Sequence, residues 1–379
     1  MPTPTTSGSP ASPQARWGDT KHTGATISLC MIVKNEEEVL ARCLASAKPL
    51  VDEIVIVDTG SEDSTKEIAR QFTDKVYDFE WIDNFGAARN FAFSKGTCEY
   101  LMWLDADDIM LPGDAAAFLS LKETLDASVD TVMMKYNIAF DEQGKPTFSY
   151  YRERVLRNCP LARWDGAIHE VITPFGKIIH VPIGVTHRRK AKTDAQRNLR
   201  LFERLLQRGE ALSPREQFYY ARELYYNTRY AEAAAMFERF LNEGRGWLEN
   251  NIEACRVLAQ CYNALQQLEP ALKALLRSFT YDAPRAELCC ELGYYYFARN
   301  EYEKAIQWYR IALLCPKKEA SGAFLLEDCY GYLPHLQMCV CLDRLGRTVD
   351  AIAHNEEAAK LRPQSQACLH NRKYFEGKN

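Results

Sequence analysis

The chain has 379 residues, enough for about two domains that each bury a core. Its 47% hydrophobic and 26% charged residues are ordinary for a globular protein, and a formal net charge of -4 gives no global electrostatic ground for nucleic acid or an anionic membrane as main partner. No apolar run approaches the roughly 20 residues that cross a bilayer, and the thirteen cysteines are scattered without zinc-finger spacing, so the expectation is a cytoplasmic protein with reduced, mostly buried thiols.

Residues 1–24 are rich in Pro, Thr, Ser and Gly and read as a disordered tail. Ile27–Val33 is an apolar strand, followed by a polar loop, Lys34 to Glu38, and by Val39, Leu40, Cys43 and Leu44 at helical spacing. A second unit repeats this: the strand Asp52–Asp58 ends in an acid, and Thr59 to Thr65 turn into a helix that Asp63, Ser64 and Thr65 are placed to cap. In a nucleotide-binding βαβ unit an acid at that strand end hydrogen-bonds base or ribose. Lys75–Phe79 is a short strand, and a helix opens at Asn84 and carries Arg89 and Asn90 towards the next strand.

That next strand, Tyr100–Leu104, is continuously apolar and runs into Asp105, Asp107 and Asp108. Such a run is expected to be a buried parallel strand delivering acids to the sheet's carboxyl edge, where open α/β sheets bind ligands. Alternation along a strand puts Asp105 and Asp107 on one side with the small Ala106 between them, a pair that suits a divalent cation bridging to phosphate; the plain alternative is a strand ending in a polar turn.

Four motifs occur here in order: Val33-Lys34-Asn35-Glu36, Val57-Asp58-Thr59-Gly60-Ser61, Ala88-Arg89-Asn90 and Leu104-Asp105-Ala106-Asp107. Together they resemble family 2 glycosyltransferases of the GT-A fold. The resemblance implies inverting transfer of a hexose from a UDP-sugar, with the counterpart of Asp58 on uracil, those of Glu36 and Arg89 near the nucleoside, and the Asp-x-Asp pair on ribose and metal. It assigns Val33, Glu36, Asp58, Arg89, Asn90, Asp105 and Ala106 to the nucleotide sugar. There is no Gly-x-x-x-x-Gly-Lys and no Gly-x-Gly-x-x-Gly loop, which counts against ATP hydrolysis and against a dinucleotide dehydrogenase.

Beyond Leu111-Pro112-Gly113, which breaks the chain, a helix is expected through Leu125, then a hairpin of Val129–Tyr136 and Thr147–Tyr151 turning at Asp141–Gly144. Arg152 and Arg154 follow on one face, placed either to pair with a phosphate, the role given to Arg154, or to line a solvated edge strand. Two polar clusters come next, Trp164 to Glu170 and a strand from Ile178 ending in His187. They resemble the acceptor half of a bacterial family 2 subgroup that includes lipopolysaccharide-core glucosyltransferases and sublancin-type peptide S-glycosyltransferases. By that resemblance Glu170 is the catalytic base, the plain alternative being an acid paired with His169 or an arginine, and Asp165 is the second candidate. His169, next to Glu170, is placed to orient it, and His187 resembles a metal ligand beside Asp107, the alternative being an ordinary polar residue in a basic loop, with Mn²⁺ or Mg²⁺ as the ion.

From Lys192 the pattern is helical. Leu224, Leu258 and Leu292 are evenly spaced, and Leu292-Gly293-x-x-Tyr296, Tyr302-x-x-Ala305 and Pro316 match the tetratricopeptide signature. Helix pairs are expected near 215–243, 251–281, 285–315 and 328–361, stacked into a solenoid with a concave groove. The expected organisation is thus a tail (1–24), an α/β GT-A domain (25–192) and an all-α tetratricopeptide solenoid (193–379). The expected function is hexose transfer to a peptide or protein side chain (Cys, Ser or Thr), with the solenoid selecting the acceptor or forming a homodimer. Transfer to a lipopolysaccharide or other saccharide, with the basic run 188–192 meeting its phosphates, and a non-catalytic tetratricopeptide scaffold are the alternatives.

Overall fold

The continuous apolar runs become strands covered on both faces. In a computed structural model, which describes residues 24–140, 144, 146–188, 194, 196–318, 321–322 and 324–378, β1 (Ile27–Val33) is followed by α1 (Leu40–Ala47), β2 (Glu53–Asp58), α2 (Thr65–Arg70), β3 (Val76–Asp78), α3 (Phe85–Phe93) and β4 (Tyr100–Met102). Then come β5 (Asp108–Ile109), α4 (Pro112–Thr124), β6 (Thr131–Phe140), β7 (Pro146–Arg157), β8 (Trp164–Asp165), β9 (Val171–Ile172) and β10 (Ile178–His187). All but the last residue of the expected tail, most of the hairpin turn after Phe140, and residues 189–193, which hold most of the basic run and the expected domain boundary, lie outside the described residues.

One mixed sheet runs β3-β2-β1-β4-β7-β6-β10-β5, with β3, β2, β1 and β4 parallel, β7 antiparallel to both its neighbours, and β10 parallel to β6. Leu29, Met31 and Val33 of β1 pack with Leu40, Cys43 and Leu44 on one face, while Cys30 joins Val57, Leu101, Phe93 and Trp164 on the other. That two-sided burial is why β1 reads as an unbroken apolar run instead of an alternating one.

Three expectations need correcting. Pro112 does not break the chain but opens α4 at its first turn, where its missing N–H costs nothing. The strand bearing Arg152 and Arg154 is no edge: β7 lies between β4 and β6, and its register slips at Arg154, since Val132 faces Val155 while Met133 faces Glu153. Asp105 and Asp107 are not on a strand either, because β4 ends at Met102 and Ala106 and Asp107 form a turn, after which Asp108 opens β5.

The rest of the chain is helical: α5 (Arg197–Gln207), then the pairs α6 (Pro214–Tyr226) with α7 (Tyr230–Glu243), α8 (Leu248–Ala264) with α9 (Leu268–Arg277), α10 (Ala286–Phe297) with α11 (Tyr302–Leu314), and α12 (Tyr332–Arg344) with α13 (Thr348–Leu361), closed by α14 (Gln366–Glu376). Each pair turns through one left-handed residue: Thr228, Gln266 and Asn300, each with φ of 60°, and Gly346 at 75°. The shared turn makes the repeat visible in the backbone, and α14, which buries Cys368 and Phe375, is the one helix the periodicity did not announce. All thirteen cysteines are free thiols, most of them buried. An α/β domain of GT-A type followed by a helical repeat array is therefore the architecture. The two share a core, since Ala167 and Ile168 from the β8–β9 loop are buried among Phe202, Phe218 and Leu224.

Candidate active site

The site lies along the carboxyl edge of the parallel strands. At the end of β2, Asp58 is fully buried, and its Oδ1 accepts from the backbone N–H groups of Gly60 and Ser61 at 2.9 Å each, with Lys66 at 3.6 Å. Its Oδ2 has no hydrogen-bond partner among the described residues. Val33 sits alongside, its carbonyl accepting from Thr59 N at 3.0 Å, and Glu36 is held nearby by a 2.7 Å bond from its N–H to Thr65 Oγ1. Asp63 and Thr65 thus stitch the β1–α1 loop to α2, with Glu37 N donating to Asp63 Oδ2 at 3.2 Å, whereas Ser64, at the N-cap position, makes no side-chain capping bond.

The three acids part company. Asp107 Oδ1 and Asp108 Oδ1 both lie 3.3 Å from His187 Nδ1, and these three residues are the one cluster among the described residues able to hold a metal ion. Tyr136 Oη donates to Asp108 Oδ1 at 3.0 Å and also lies 3.0 Å from His187 Nδ1. Burial works to lower the pKa of His187, but hydrogen bonds to Asp107 and Asp108 overcome it and raise it to about 9. Two donors in adjacent positions on one octahedral ion, each at 2.0–2.1 Å, lie about 3 Å apart, so Asp107 and His187 fit a hard divalent cation, which would take the place of that proton.

Asp108, which the sequence did not single out as a ligand, is wholly buried, and Arg154 explains its position. Arg154 Nη1 lies 3.2 Å from both Asp108 Oδ2 and the Trp103 carbonyl, and its guanidinium sits between the rings of Trp103 (3.7 Å) and Tyr136 (4.4 Å). With no exposed surface, Arg154 does not line the cleft as expected of a phosphate ligand; it props the acidic turn from beneath. The bulge on β7 is what puts it there.

Asp105 belongs to a different set. Arg89 on α3 donates from Nη2 to Asp105 Oδ1 at 2.7 Å and from Nε to Glu170 Oε1 at 2.6 Å, while its guanidinium stacks on Trp164 at 4.7 Å. Burial would raise the Asp105 carboxyl, but the Arg89 charge prevails and holds it at about 2. Helix α3 is started by Asn84, whose Oδ1 accepts from Ala87 N at 2.8 Å, and it approaches the β8–β9 loop so closely that a Cβ on Gly86 would meet Gly166 O at 2.4 Å. Asn90 seals the contact, with Nδ2 donating to Trp164 O and Oδ1 accepting from Trp164 N, both at 2.9 Å. Its amide is spent on this backbone, so Asn90 acts as a staple here and not as a nucleotide ligand. Ala106 is buried in the turn, and Asp165 is exposed.

His169 also departs from expectation. At φ of 53° it turns away from Glu170, stacks on Tyr219 of α6 at 4.2 Å, and places Nε2 2.9 Å from Glu223 Oε1. The partner that orients Glu170 is Arg89. Helix α6 adds a bond from Arg215 Nε to the His169 carbonyl (3.0 Å) and one from Ala167 N to Glu216 Oε1 (3.1 Å), so the loop before Glu170 is fixed from both sides.

Residues 28–180 match glycosyl transferase family 2, and the N-terminal part of the chain is a domain of that family. A TPR repeat-containing protein of Synechococcus elongatus is 37% identical over 149 residues, covering 39% of this chain and 36% of the relative. The glycosyltransferase SunS of Bacillus phage SPbeta is 26% identical over 257 residues, 63% of this chain and 60% of that one, and the succinoglycan biosynthesis protein ExoU of Rhizobium meliloti is 35% identical over 105 residues, covering 25% of this chain and 31% of that one. The chain thus spans less than two thirds of the length of these relatives. Among solved structures, that of YrrB, described as a TPR protein with an unusual peptide-binding site, aligns with 48% of this chain and 92% of its own at 15% identity and a TM-score of 0.34. No helix among the described residues is long and apolar enough to cross a membrane.

Proposed function

We propose that this chain is an inverting glycosyltransferase that moves a hexose from a UDP-sugar to a peptide or protein side chain, with Glu170 as the base. The observation that carries this reading is the Arg89 bridge: it joins Glu170 to Asp105, two residues before the Asp107 end of the metal cluster, so the base, the ribose-side acid and the diphosphate-side ligands line one edge. Asp58 supports it from the other end, since a buried carboxylate oriented by two N–H groups with one oxygen unpartnered suits the N3–H donor of uracil.

In the reaction Glu170 takes the proton of the acceptor while the acceptor atom bonds to the anomeric carbon, on the face opposite the departing UDP. Arg89 keeps the Glu170 carboxylate aimed. Asp107 and His187, with Asp108 behind them, would hold Mn²⁺ or Mg²⁺, and such a cation offsets the charge gathering on the diphosphate. The helical array would present the acceptor, because its first helix supports the loop that carries the base.

The test is UDP release from a panel of UDP-hexoses by the purified chain, with Mn²⁺ or Mg²⁺ and then after exhaustive EDTA treatment. Release that stops with EDTA, returns with Mn²⁺ and is lost in Asp107→Asn is the expected outcome. No release from any UDP-hexose would sink the reading, and full activity in EDTA would remove the metal from it.

A further inference from the structure

Most arginines near the sheet–helix junction are tied to carboxylates: Arg152 to Glu153 at 3.0 Å, and Arg256 to Glu253 at 2.7 Å and Glu291 at 3.6 Å. Two on α6 are not. Arg215 spends its Nε on the His169 carbonyl and lies 4.8 Å above the Tyr219 ring, and Arg222 lies 4.7 to 5.7 Å from the rings of Phe324, Tyr226, Phe218 and Tyr219. Neither forms an ion pair among the described residues. Arg222 Nε is buried with no hydrogen-bond partner, and the acids that face it are already engaged, Glu253 by Arg256 and Glu223 by His169 and Asn198. Aromatic faces hold a guanidinium in place; Arg215 Nη2 also donates to Tyr219 Oη at 3.4 Å and Arg222 Nη2 to Tyr226 Oη at 2.5 Å, and the N–H groups left over match a carboxylate. A part-buried cation without a counter-charge is a costly feature that a bound anion would relieve.

What lies on this face already is polypeptide. Residues 324–326, part of the connection from α11 to α12, have no regular structure and reach α6, where Phe324 packs against Phe218 at 5.9 Å, and Leu326 N donates to Glu287 Oε1 of α10 at 3.0 Å. Stretched chain with one ring seated and one backbone N–H satisfied is thus accommodated here.

We propose that Arg215 and Arg222 bind an acidic side chain of a peptide acceptor, close in sequence to the residue that receives the sugar. This rests on the glycosyltransfer reading above. Arg215 fixes the register, because the carbonyl it holds belongs to His169, the neighbour of Glu170, so a carboxylate on the arginine pair lies within a few residues of a side chain at the base. The selected feature is Asp or Glu near the acceptor residue, and a Lys or Arg there is repelled.

The probes are uncharged-dye-labelled synthetic 11-mers of Gly and Asn with a central Ser, Thr or Cys flanked by Glu, Gln or Lys, whose binding to the full chain is read by anisotropy. The Glu peptides are expected to bind about tenfold tighter than the Gln peptides, with Lys weaker still, and the gap should weaken with salt. Arg222→Gln and Arg215→Gln should each shrink the gap to about threefold or less, with thermal melts confirming that both variants fold. Equal binding of Glu and Gln peptides by the wild-type chain overturns the proposal without any variant, and so does a preference that survives both substitutions. A phosphorylated disaccharide that depends on the two arginines, with no preference among the peptides, also overturns it and assigns them to a saccharide. Wild-type hydrolysis of UDP-hexoses, run alongside, reports on the parent reading alone, so the two failures are distinguishable.

Discussion

Asp105 and Glu170 share one cation: the Arg89 guanidinium reaches the first at 2.7 Å and the second at 2.6 Å, and neither acid has another ion-pair partner among the described residues. Arg89→Met leaves two carboxylates side by side. Removing one partner of a buried pair costs about 3–5 kcal/mol, and partial exposure of Asp105 puts the expected loss at the lower end of that range. Arg89→Lys keeps the charge but replaces the planar fork, whose Nε and Nη2 serve one acid each, by a single nitrogen, so it should recover part of the stability and little of the UDP release. Denaturant midpoints and initial rates for the two variants check this, and a wild-type rate in Arg89→Lys contradicts it.

Glu170→Gln keeps the shape and removes the basic oxygen. Transfer to acceptor should fall by about 10²–10⁴, while UDP-sugar affinity changes little. A thiol acceptor would show the smallest loss, because it is partly ionised near neutral pH. Asp165→Asn is the control: if it loses the rate and Glu170→Gln keeps it from pH 6 to 9, the base is Asp165.

Asp58→Ala is expected to weaken UDP binding by about 1.5–3 kcal/mol, the usual loss for a hydrogen bond to a charged group. Calorimetry with UDP and CDP separates base recognition from general damage. The variant should lose its preference for UDP, and an unchanged UDP affinity would place the base elsewhere.

Gly86→Ala adds a single methyl at a backbone contact of 2.4 Å, where neither side is a flexible side chain. Overpacking of this kind typically costs about 1–3 kcal/mol, and here the strain falls on the loop before Glu170. Transfer rate should drop more than thermal stability, which a melt and a rate measured on the same sample will show.

The acid limit of the fold should depend on Glu53. Burial works to raise this carboxyl, but hydrogen bonds from Lys75, Ser28 and Thr97 lower it to about 2. A carboxyl depressed on folding stabilises above its ordinary pKa, and that contribution is lost as pH falls from about 4.5 towards 2. Glu53→Gln should therefore lower the urea midpoint at pH 7, with the gap to wild type closing below pH 3.

The strands and the repeat were legible because apolar runs and a fixed helical period are local signals, and Asp58, Asp105, Asp107 and His187 all appear at the edge where strand order placed them. Arg154 was misplaced because a one-residue bulge cannot be read from alternation, and that slip sends its guanidinium under Asp108 instead of into the cleft. Asp108 has a different cause: a continuous strand would turn it away from Asp107, whereas the turn at Ala106 and Asp107 lets Asp108 open β5 opposite His187, so that both acids reach that ring. Asn90 and His169 were misjudged for another reason: their partners, the Trp164 backbone and Glu223, are far off in sequence, and no local pattern announces such a contact.

Helix α6 belongs to the repeat array by its turn and its packing, yet it also grips the loop before Glu170 through Tyr219, Glu223, Arg215 and Glu216. This sets where the molecule tolerates recombination. A graft that exchanges everything after Glu243 for a foreign array leaves the loop's supports in place and alters only what the distal groove can grip. A graft at the end of β10 carries away one wall of the loop, so two otherwise intact halves would meet as strangers at the base.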